Sequence, residues 1–322
     1  MWKIADTEIK SRVVLGPMAG VTSQAYRLFM KPFGVGLSFT EMVSDCGLVY
    51  ENRNTFAYLP NEKSDRPVGL QLFGSIIENA QKAIEIIQKA NITYDFLDLN
   101  FGCPVHKVTK TFAGSSWLKR PRELAEYVTS IVAISDKPVT AKIRLGWDRE
   151  HINVLEVVGL LEKAGVSAIT IHARTTEQMY SGKANWSLIE NLREKMSIPL
   201  IISGDIFTLS DAVEAMRITK ADAVMVARGA IGNPRLVSQI DGYFEKGIIM
   251  PDATLREQIH YLRSFANLLI EEKGEKTSMM ILRGLAPHFF NRFPGMKAIK
   301  NKIAMTVYSK VDLEAILESI AI

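Results

Sequence analysis

The chain has 322 residues, of which 47% are hydrophobic, 8% aromatic and 23% charged. This is the composition of an ordinary globular protein, so collagen-like, coiled-coil and disordered classes are excluded. Thirty-nine Lys and Arg against 35 Asp and Glu leave a net charge of only +4, so any surface for a polyanion must be local.

Short apolar, β-branched runs recur along the first two thirds of the chain, and an amphipathic stretch follows most of them. The eight predicted strands are 13–15, 37–40, 68–72, 95–99, 139–143, 168–172, 200–202 and 223–226. The predicted helices between them include 76–90, 121–134, 154–164, 186–196 and 209–218. Apolar strands alternating with helices indicate a parallel sheet covered on both faces. Eight such strands favour a closed (β/α)8 TIM barrel over an open doubly wound sheet.

The strand signal ends before residue 247, and helices are predicted over 255–272 and 297–322. We therefore predict a barrel catalytic domain over 1–246, a linker over 247–253 and an all-helical domain over 254–322. Residues 273–310 contain eight Lys or Arg and one acid, Glu275. A solvated helix face or a polyanion-binding surface would both explain this bias, although solvated faces usually intersperse both signs.

The sequence does not indicate a membrane protein, a disulfide-stabilised protein or a metal-binding protein. The longest stretch without a charged residue, 13–26, has 14 residues, whereas a membrane helix needs about 20 apolar ones. The N-terminus has no apolar leader, so we expect a cytoplasmic protein with no membrane partner. Cys46 and Cys103 form no C-x-x-C pair, so neither a disulfide framework nor a metal site is expected.

Polar residues follow nearly every predicted strand at its C-terminal end. They include Glu41, Gln71, Asn100, Lys142, Arg144, His172, Ser203, Asp205 and Arg228. One such residue is explained by structural hydrogen bonding. Because the C-terminal ends of barrel strands meet at one face, a whole ring of them predicts an active site there.

The loops after strands seven and eight have the composition of a phosphate site. They are Ser203-Gly204-Asp205 and Ala227-Arg228-Gly229. Glycine allows backbone N–H groups to approach an anion closely, and an arginine fork matches phosphate oxygens. Glycine also suits any β-to-α turn. The combination with Arg228 after strand eight, where such barrels bind phosphate, nevertheless predicts a phosphate group.

Cys103 lies between Gly102 and Pro104 in the loop after strand four, a poor position for a core residue. A thiol of ordinary pKa is mostly protonated at neutral pH and can donate a proton to a carbanion. A thiolate nucleophile is the alternative, and it requires a base such as the nearby His106. Cys46 is interpreted as an inert, buried residue.

Lys142 and His172 end strands five and six. A lysine in an otherwise buried strand can pair with an anion, form a Schiff base or stabilise an electron-rich ring. His172 can donate to a phosphate or a carbonyl, or can be a satisfied core histidine.

Six short motifs lie at or beside these strand ends. They are PMAGVT at 17–22, NFGCPVHKV at 100–108, AGS at 113–115, AKIRLGW at 141–147, TIHART at 170–175 and GDI at 204–206. Together they resemble the tRNA-dihydrouridine synthases, most closely the bacterial B-type branch, over essentially the whole chain. Dihydroorotate dehydrogenases have a looser form of the cysteine loop but lack the AGS stretch and the C-terminal helices.

The resemblance implies an FMN-binding barrel, a helical domain that binds tRNA, and NAD(P)H as electron donor. FMN would deliver hydride to C6 of a uridine while Cys103 protonates C5. The implied FMN-binding residues are Pro17, Met18, Ala19, Gln71, Lys142, His172, Ser203, Gly204, Asp205, Ala227 and Arg228. The implied substrate-binding residues are Asn100, Lys107, Arg174, Arg283, Lys297 and Lys300. Ser203 replaces the usual Asn, and Ala227 replaces a common Gly, with small residues kept at both positions.

For the synthase that the resemblance implies, we expect a monomer. Three alternatives remain open at the level of sequence. An FMN-dependent barrel oxidoreductase acting on a free pyrimidine shares the cysteine loop but leaves the basic helical domain unexplained. A flavin-free lyase would use Lys142 as a Schiff base. An RNA-binding module without a cofactor would bind tRNA and catalyse nothing.

Overall fold

The computed structural model describes residues 1–90 and 92–320, and within them the chain forms eleven β-strands. Their bounds are β1 Trp2–Ile4, β2 Thr7–Ile9, β3 Val13–Leu15, β4 Leu37–Phe39, β5 Val43–Ser44, β6 Val68–Phe73, β7 Phe96–Phe101, β8 Val139–Arg144, β9 Ala168–His172, β10 Leu200–Ser203 and β11 Ala223–Val226.

Eight of these strands close into a parallel barrel. Strands β6 to β11 pair in chain order, β11 pairs with β3, β3 with β4, and β4 with β6. The short β5 continues the line of β4 along β6, with Val43 opposite Leu72. The predicted TIM barrel is therefore confirmed, and each of the eight predicted runs coincides with a barrel strand.

A hairpin of β1 and β2 covers the end of the barrel where the strands begin. Its Trp2, Ile4 and Ile9 belong to one apolar cluster with barrel residues such as Phe39 and Phe96. The indole N–H of Trp2 donates to the Ser11 carbonyl at 2.9 Å. With that end covered, the opposite end, where the strands finish, is left for a ligand.

Thirteen α-helices lie in the described part of the chain, mostly between the strands. Their bounds are α1 Gln24–Met30, α2 Asp45–Val49, α3 Arg53–Phe56, α4 Ile77–Lys89, α5 His106–Thr109, α6 Pro121–Val132, α7 Val154–Lys163, α8 Leu209–Thr219, α9 Pro234–Lys246, α10 Leu255–Lys273, α11 Glu275–Leu285, α12 Lys297–Thr306 and α13 Lys310–Glu318. Across residues 1–90 and 92–320, none combines the length and apolarity that crossing a membrane requires.

Two predicted helices are wrong in detail. Residues 186–196 form two short 3₁₀ turns rather than one helix, because Asn191 between them adopts a left-handed conformation with φ of 52°. The predicted helix 297–322 is divided into α12 and α13, and its residues 321–322 lie outside the described residues. Ser309 and Asp312 form a capping box that begins α13. Helix α11 is an element that the sequence pattern does not predict.

The C-terminal helices pack directly on the barrel. Segment 247–253, the predicted linker, lies between α9 and Thr254, which caps α10. The ring of Phe265 on α10 lies 5.4 Å from the rings of both Tyr26 and Phe29 on α1. One apolar core is therefore continuous from the barrel strands into the helical region.

Candidate active site

The C-terminal ends of the barrel strands surround a cavity of about 440 Å³, within the size range of ligand pockets. All eleven predicted FMN-binding residues lie in its lining, together with the predicted acid and one predicted substrate-binding residue. These thirteen are Pro17, Met18, Ala19, Gln71, Asn100, Cys103, Lys142, His172, Ser203, Gly204, Asp205, Ala227 and Arg228. Sequence positions more than 200 residues apart therefore meet at one site, as strand ends in a closed barrel must.

The cysteine loop is held by hydrogen bonds to its backbone. Asn100 Oδ1 accepts from the N–H groups of Gly102 and Cys103, at 3.1 and 2.9 Å. The Cys103 carbonyl accepts from the backbone N–H and the hydroxyl of Ser115, at 3.0 and 2.9 Å. At Gly114, φ is 59° and a Cβ would lie 2.7 Å from the Cys103 carbonyl oxygen. These contacts explain the asparagine of NFGCP and the glycine and serine of AGS.

The environment of Cys103 favours a protonated thiol. Burial raises its pKa, and this effect outweighs the opposing influence of the Val105 N–H and of Arg144 and Lys142. His106, the base that a thiolate mechanism would need, is exposed at the start of α5 and is absent from the described lining of the cavity. The geometry therefore suits a proton donor better than a nucleophile.

Lys142 and Asn100 lie opposite each other on neighbouring strands β8 and β7. Burial lowers the pKa of Lys142 to about 8, helped by the charge of Arg144 and opposed by Asp98 and Cys103. At neutral pH the side chain is still mostly an ammonium ion. It thus supplies a positive charge in the cavity wall.

Arg144 is a site residue whose role the sequence pattern does not reveal. Its buried guanidinium donates to the carbonyls of Gly102, Thr175 and Met179, at 2.8, 2.7 and 2.7 Å. It therefore ties the cysteine loop to the loop after β9. Tyr180 in that second loop also lines the cavity, with its ring 5.5 Å from the Arg144 guanidinium.

Arg174, which we predict to contact the substrate, is buried behind the cavity wall. Its guanidinium donates to the carbonyls of Ser181 and Gly182 and to the carboxylate of Asp205. Arg174 is not one of the described residues that line the cavity. The structure thus corrects its expected position from substrate contact to loop support, because hydrogen bonds to the protein satisfy the guanidinium.

His172 is neutral in this environment. Its pKa lies well below the ordinary value, first because of burial and then because of nearby cations, chiefly Lys142 and Arg144. Arg174 Nη1 lies 3.2 Å from His172 Nε2. Because a guanidinium only donates, Nε2 must accept and the ring proton is on Nδ1. His172 therefore keeps one N–H donor.

The predicted phosphate loops lie beside each other at one side of the cavity. Gly204 has φ of 115°, and a Cβ there would come within 2.9 Å of the Ala184 Cβ, so only glycine fits. The Arg228 guanidinium lies 5.3 Å from the Tyr180 ring and 5.5 Å from the Phe207 ring. The two rings orient an arginine at the mouth of the cavity.

The remaining predicted substrate-binding residues lie outside the cavity. Lys107 is exposed on α5, directly after the cysteine loop, and Lys297 is exposed at the start of α12. Lys300 donates to Asn291 Oδ1 at 3.1 Å, and the adjacent Arg292 donates to the Phe207 carbonyl at 3.2 Å. The start of α12 is thereby connected to the rim of the cavity.

Arg283 occupies a separate part of the helical domain. Its guanidinium lies 4.8 Å from the ring of Tyr308, which is largely exposed between α12 and α13. Arg283 is therefore available to a large ligand that extends over these helices, but not to a molecule confined to the cavity.

The closed barrel, with a thiol, a half-buried lysine and an arginine at the mouth of one cavity, defines an enzyme of the TIM-barrel class. The family model described as "Dihydrouridine synthase (Dus)" matches residues 14–321. The chain therefore belongs to the dihydrouridine synthase family and is an oxidoreductase.

Curated relatives cover most of the chain. A "Probable tRNA-dihydrouridine synthase" of Rickettsia bellii is 34% identical over 287 residues, which cover 88% of this chain and 86% of the relative. The "tRNA-dihydrouridine synthase B" of Pasteurella multocida is 33% identical over 283 residues, covering 87% of this chain and 84% of the relative. The resemblance to the bacterial B-type branch is thus confirmed.

Solved structures at low identity share the fold. Histamine dehydrogenase from Rhizobium sp. 4-9 aligns with a TM-score of 0.54 at 17% identity, over 76% of this chain and 47% of that chain. The old yellow enzyme homologue from Zymomonas mobilis aligns with a TM-score of 0.50 at 14% identity, over 80% of this chain and 94% of that chain. These similarities establish the barrel architecture and nothing more.

Proposed function

We propose that this protein is an FMN-dependent tRNA-dihydrouridine synthase, which reduces the C5=C6 bond of uridines in tRNA with electrons from NAD(P)H. The observation that carries the proposal is that Cys103, whose thiol pKa is raised by burial, lines the same cavity as Lys142 and Arg228. Family membership and the names of the relatives support the same substrate.

The cavity has the chemistry that FMN requires. Gly204 leaves space where any Cβ would collide with Ala184, and Arg228 is oriented by two aromatic rings beside it. These residues would hold the phosphate. Gln71, Lys142 and His172 would hold the ring system, since together they offer amide, ammonium and imidazole donors.

When bound, FMN would supply the hydride for C6 of the uridine and receive its electrons from NAD(P)H. Cys103 would donate the second hydrogen, as a proton, to C5. Burial keeps this thiol protonated at neutral pH, so the proton is in place before the reaction. Lys142 would offset negative charge that develops in the cavity, because its ammonium group is fixed in the wall.

A tRNA substrate also accounts for the basic residues outside the cavity. Lys107 lies beside the cysteine loop, while Lys297 and Lys300 lie on α12, which the Arg292 contact with Phe207 links to the rim. A uridine must leave its stack to reach the barrel mouth, so the flanking phosphates would rest on these side chains. A free pyrimidine would leave them without a ligand.

The test is a reaction of the purified protein with unmodified tRNA transcript and NADPH or NADH, followed by mass analysis of the digested nucleosides. We expect dihydrouridine, marked by a gain of two hydrogens, and a yellow protein that releases FMN on denaturation. Free uridine and orotate are the parallel substrates. Reduction of a free pyrimidine without reduction of tRNA would favour the alternative, and a colourless protein without activity would contradict both.

A further inference from the structure

A one-way chain of hydrogen bonds runs beneath the cavity from the cysteine loop to Asp98. The Cys103 N–H donates to Asn100 Oδ1 at 2.9 Å, and Asn100 Nδ2 donates to Gln71 Oε1 at 2.7 Å. Gln71 Nε2 donates in turn to Asp98 Oδ2 at 2.6 Å. The second oxygen, Asp98 Oδ1, accepts from the Thr140 hydroxyl at 2.6 Å. Every donor in the chain points toward Asp98.

Asp98 is fully buried on β7, and the mechanism proposed above gives it no part. The groups that face it are Gln71 from β6, with Thr140 and the charge of Lys142 from β8. Burial raises the pKa of Asp98 to about 6, while these three groups oppose the rise, so at neutral pH it is mostly a carboxylate. A carboxylate has no hydrogen to donate and can only accept.

The orientation of both amides follows from that property. Because Asp98 only accepts, Gln71 must present its amide nitrogen to it and its oxygen to Asn100. Asn100 must then present its nitrogen to Gln71 and its oxygen to the N–H groups of Gly102 and Cys103. If either amide turned over, two buried donors would face each other, which costs the full desolvation of each group.

We propose that Asp98 is a positioning residue, whose buried charge fixes the direction of the Gln71–Asn100 amide chain and thereby holds Cys103 in place. This proposal deepens the proposed function, since it concerns the residue to which we assign the proton transfer. Gln71 and Asn100 also line the cavity, so the same charge decides which of their donors and acceptors face a ligand.

A charge swap tests the direction of the chain. Asn100→Asp places a second carboxylate on the other side of Gln71, which has only one amide nitrogen to share, so the loop should be disturbed. Adding Asp98→Asn should restore the loop, because the chain can then run in the opposite direction.

In this double variant the new amide at position 98 would donate to a reversed Gln71. The Gln71 nitrogen would donate to the new carboxylate at position 100, which would still accept from the N–H groups of Gly102 and Cys103. The Thr140 hydroxyl would donate to the oxygen of the new amide. Each link of the reversed chain would again join one donor to one acceptor.

The readout is the rate at which iodoacetamide alkylates Cys103 between neutral and alkaline pH, followed on the Cys103 peptide so that Cys46 does not interfere. It requires neither flavin nor RNA, so it can fail or succeed independently of the proposed function. In Asn100→Asp we expect alkylation at mildly alkaline pH to rise about tenfold, since repulsion between the new carboxylate and the Gln71 oxygen displaces the loop and exposes the thiol. In the double variant we expect the parent profile within about twofold.

Thr140→Ser is the matched control. It removes a methyl group beside the same carboxylate but keeps the hydroxyl that donates to Asp98, so both the charge and the direction of the amide chain are retained. The alkylation profile should stay within about twofold of the parent. The proposal is overturned if the double variant is disturbed as much as Asn100→Asp, if it fails to fold, or if Asn100→Asp alone leaves the profile unchanged. If Asp98 only filled space, the effects of Asp98→Asn and Asn100→Asp on the alkylation rate would add, and the double variant would not return to the parent profile.

Discussion

The buried guanidinium of Arg174 donates to both carboxylate oxygens of Asp205, each at 2.7 Å. Arg228 also approaches this carboxylate, but at 3.4 Å, which is the geometry of a weak hydrogen bond. Arg174 therefore offsets the charge of Asp205 from behind the cavity wall. The Arg228 side chain, 43% exposed, keeps its positive charge available to an anion at the mouth.

From this arrangement we expect Arg228→Ala to weaken flavin binding. Losing charge-assisted hydrogen bonds to a phosphate costs about 1.5–3 kcal/mol, which corresponds to roughly 10–150-fold in Kd. The measurement is fluorescence titration of the flavin-depleted protein with FMN. Arg217→Ala, which breaks an exposed ion pair with Glu214 on α8, is the control and should leave Kd unchanged. An Arg228→Ala protein with parental affinity would contradict the phosphate assignment.

Cys103→Ala should retain FMN and lose about 10²–10⁴-fold in turnover, the usual contribution of a positioned general acid. Product formation with saturating tRNA measures the loss, and the visible absorbance of the bound flavin measures retention. Cys46→Ala is the matched control, because Cys46 is the other free cysteine and lies on α2 outside the described cavity lining. Equal product yields from the two variants would remove Cys103 as the acid.

The charge of Lys142 should give the reaction an alkaline limit. Burial lowers its pKa to about 8, so the ammonium form is present below that pH and is lost as pH rises through it. Turnover should therefore fall above about pH 8. The Cys103 thiol does not account for this fall, since burial raises its pKa.

Lys142→Arg distinguishes the Lys142 ammonium from the Cys103 thiol as the source of this limit, because arginine stays charged over the whole pH range of the measurement. Its turnover is expected to be lower than that of the parent but to show no decline near pH 8. Parallel pH profiles for the parent and Lys142→Arg would assign the limit to another group. Rates at saturating tRNA, measured at constant ionic strength, make the comparison.

Reversing three charges on α12 should weaken tRNA binding without affecting the flavin. The triple variant replaces Lys297, Lys300 and Lys302 with Glu, and we expect the apparent KM for tRNA to rise roughly tenfold or more at low salt. The rate of flavin reduction by NADPH should be unchanged. An equal KM would mean that this face is merely solvated.

The control for this variant carries the same change in net charge on the barrel helices. It replaces the exposed Lys82, Lys89 and Lys163 with Glu, on α4 and α7. If both triple variants raise KM equally, the effect belongs to the overall charge of the molecule rather than to α12.

Gly114→Ala should disturb the cysteine loop directly. The residue has φ of 59°, and an added Cβ would lie 2.7 Å from the Cys103 carbonyl oxygen, so we expect a loss of about 1–3 kcal/mol in unfolding free energy. Gly159 lies within α7, with nothing within 4 Å of an added Cβ. Gly159→Ala should instead stabilise by about 0.5–1 kcal/mol. Urea unfolding followed by circular dichroism compares the two, and equal effects would contradict the packing described for Gly114.

The barrel could be predicted because its strands are buried on both faces and therefore appear in the sequence as short apolar runs. The site could be predicted because the C-terminal ends of the strands in such a barrel converge. For the same reason the thirteen predicted residues share one cavity. The position of Arg174 could not be predicted, because a sequence shows an arginine after a strand but not its burial. The contacts of Arg144 with Thr175 and Met179 depend on how two loops meet, and no local pattern encodes them. The helix predicted over 186–196 is wrong because one left-handed residue, Asn191, interrupts it.

The packing of Phe265 on Tyr26 and Phe29 has a consequence for how the molecule melts. The apolar core is continuous from the barrel into the helical region. Neither region can therefore unfold alone without exposing part of this shared core to water. Heating should therefore give a single cooperative transition rather than two. For the same reason we expect no hinge motion at segment 247–253, so an RNA bound as proposed would meet the barrel and the helical region as one continuous surface.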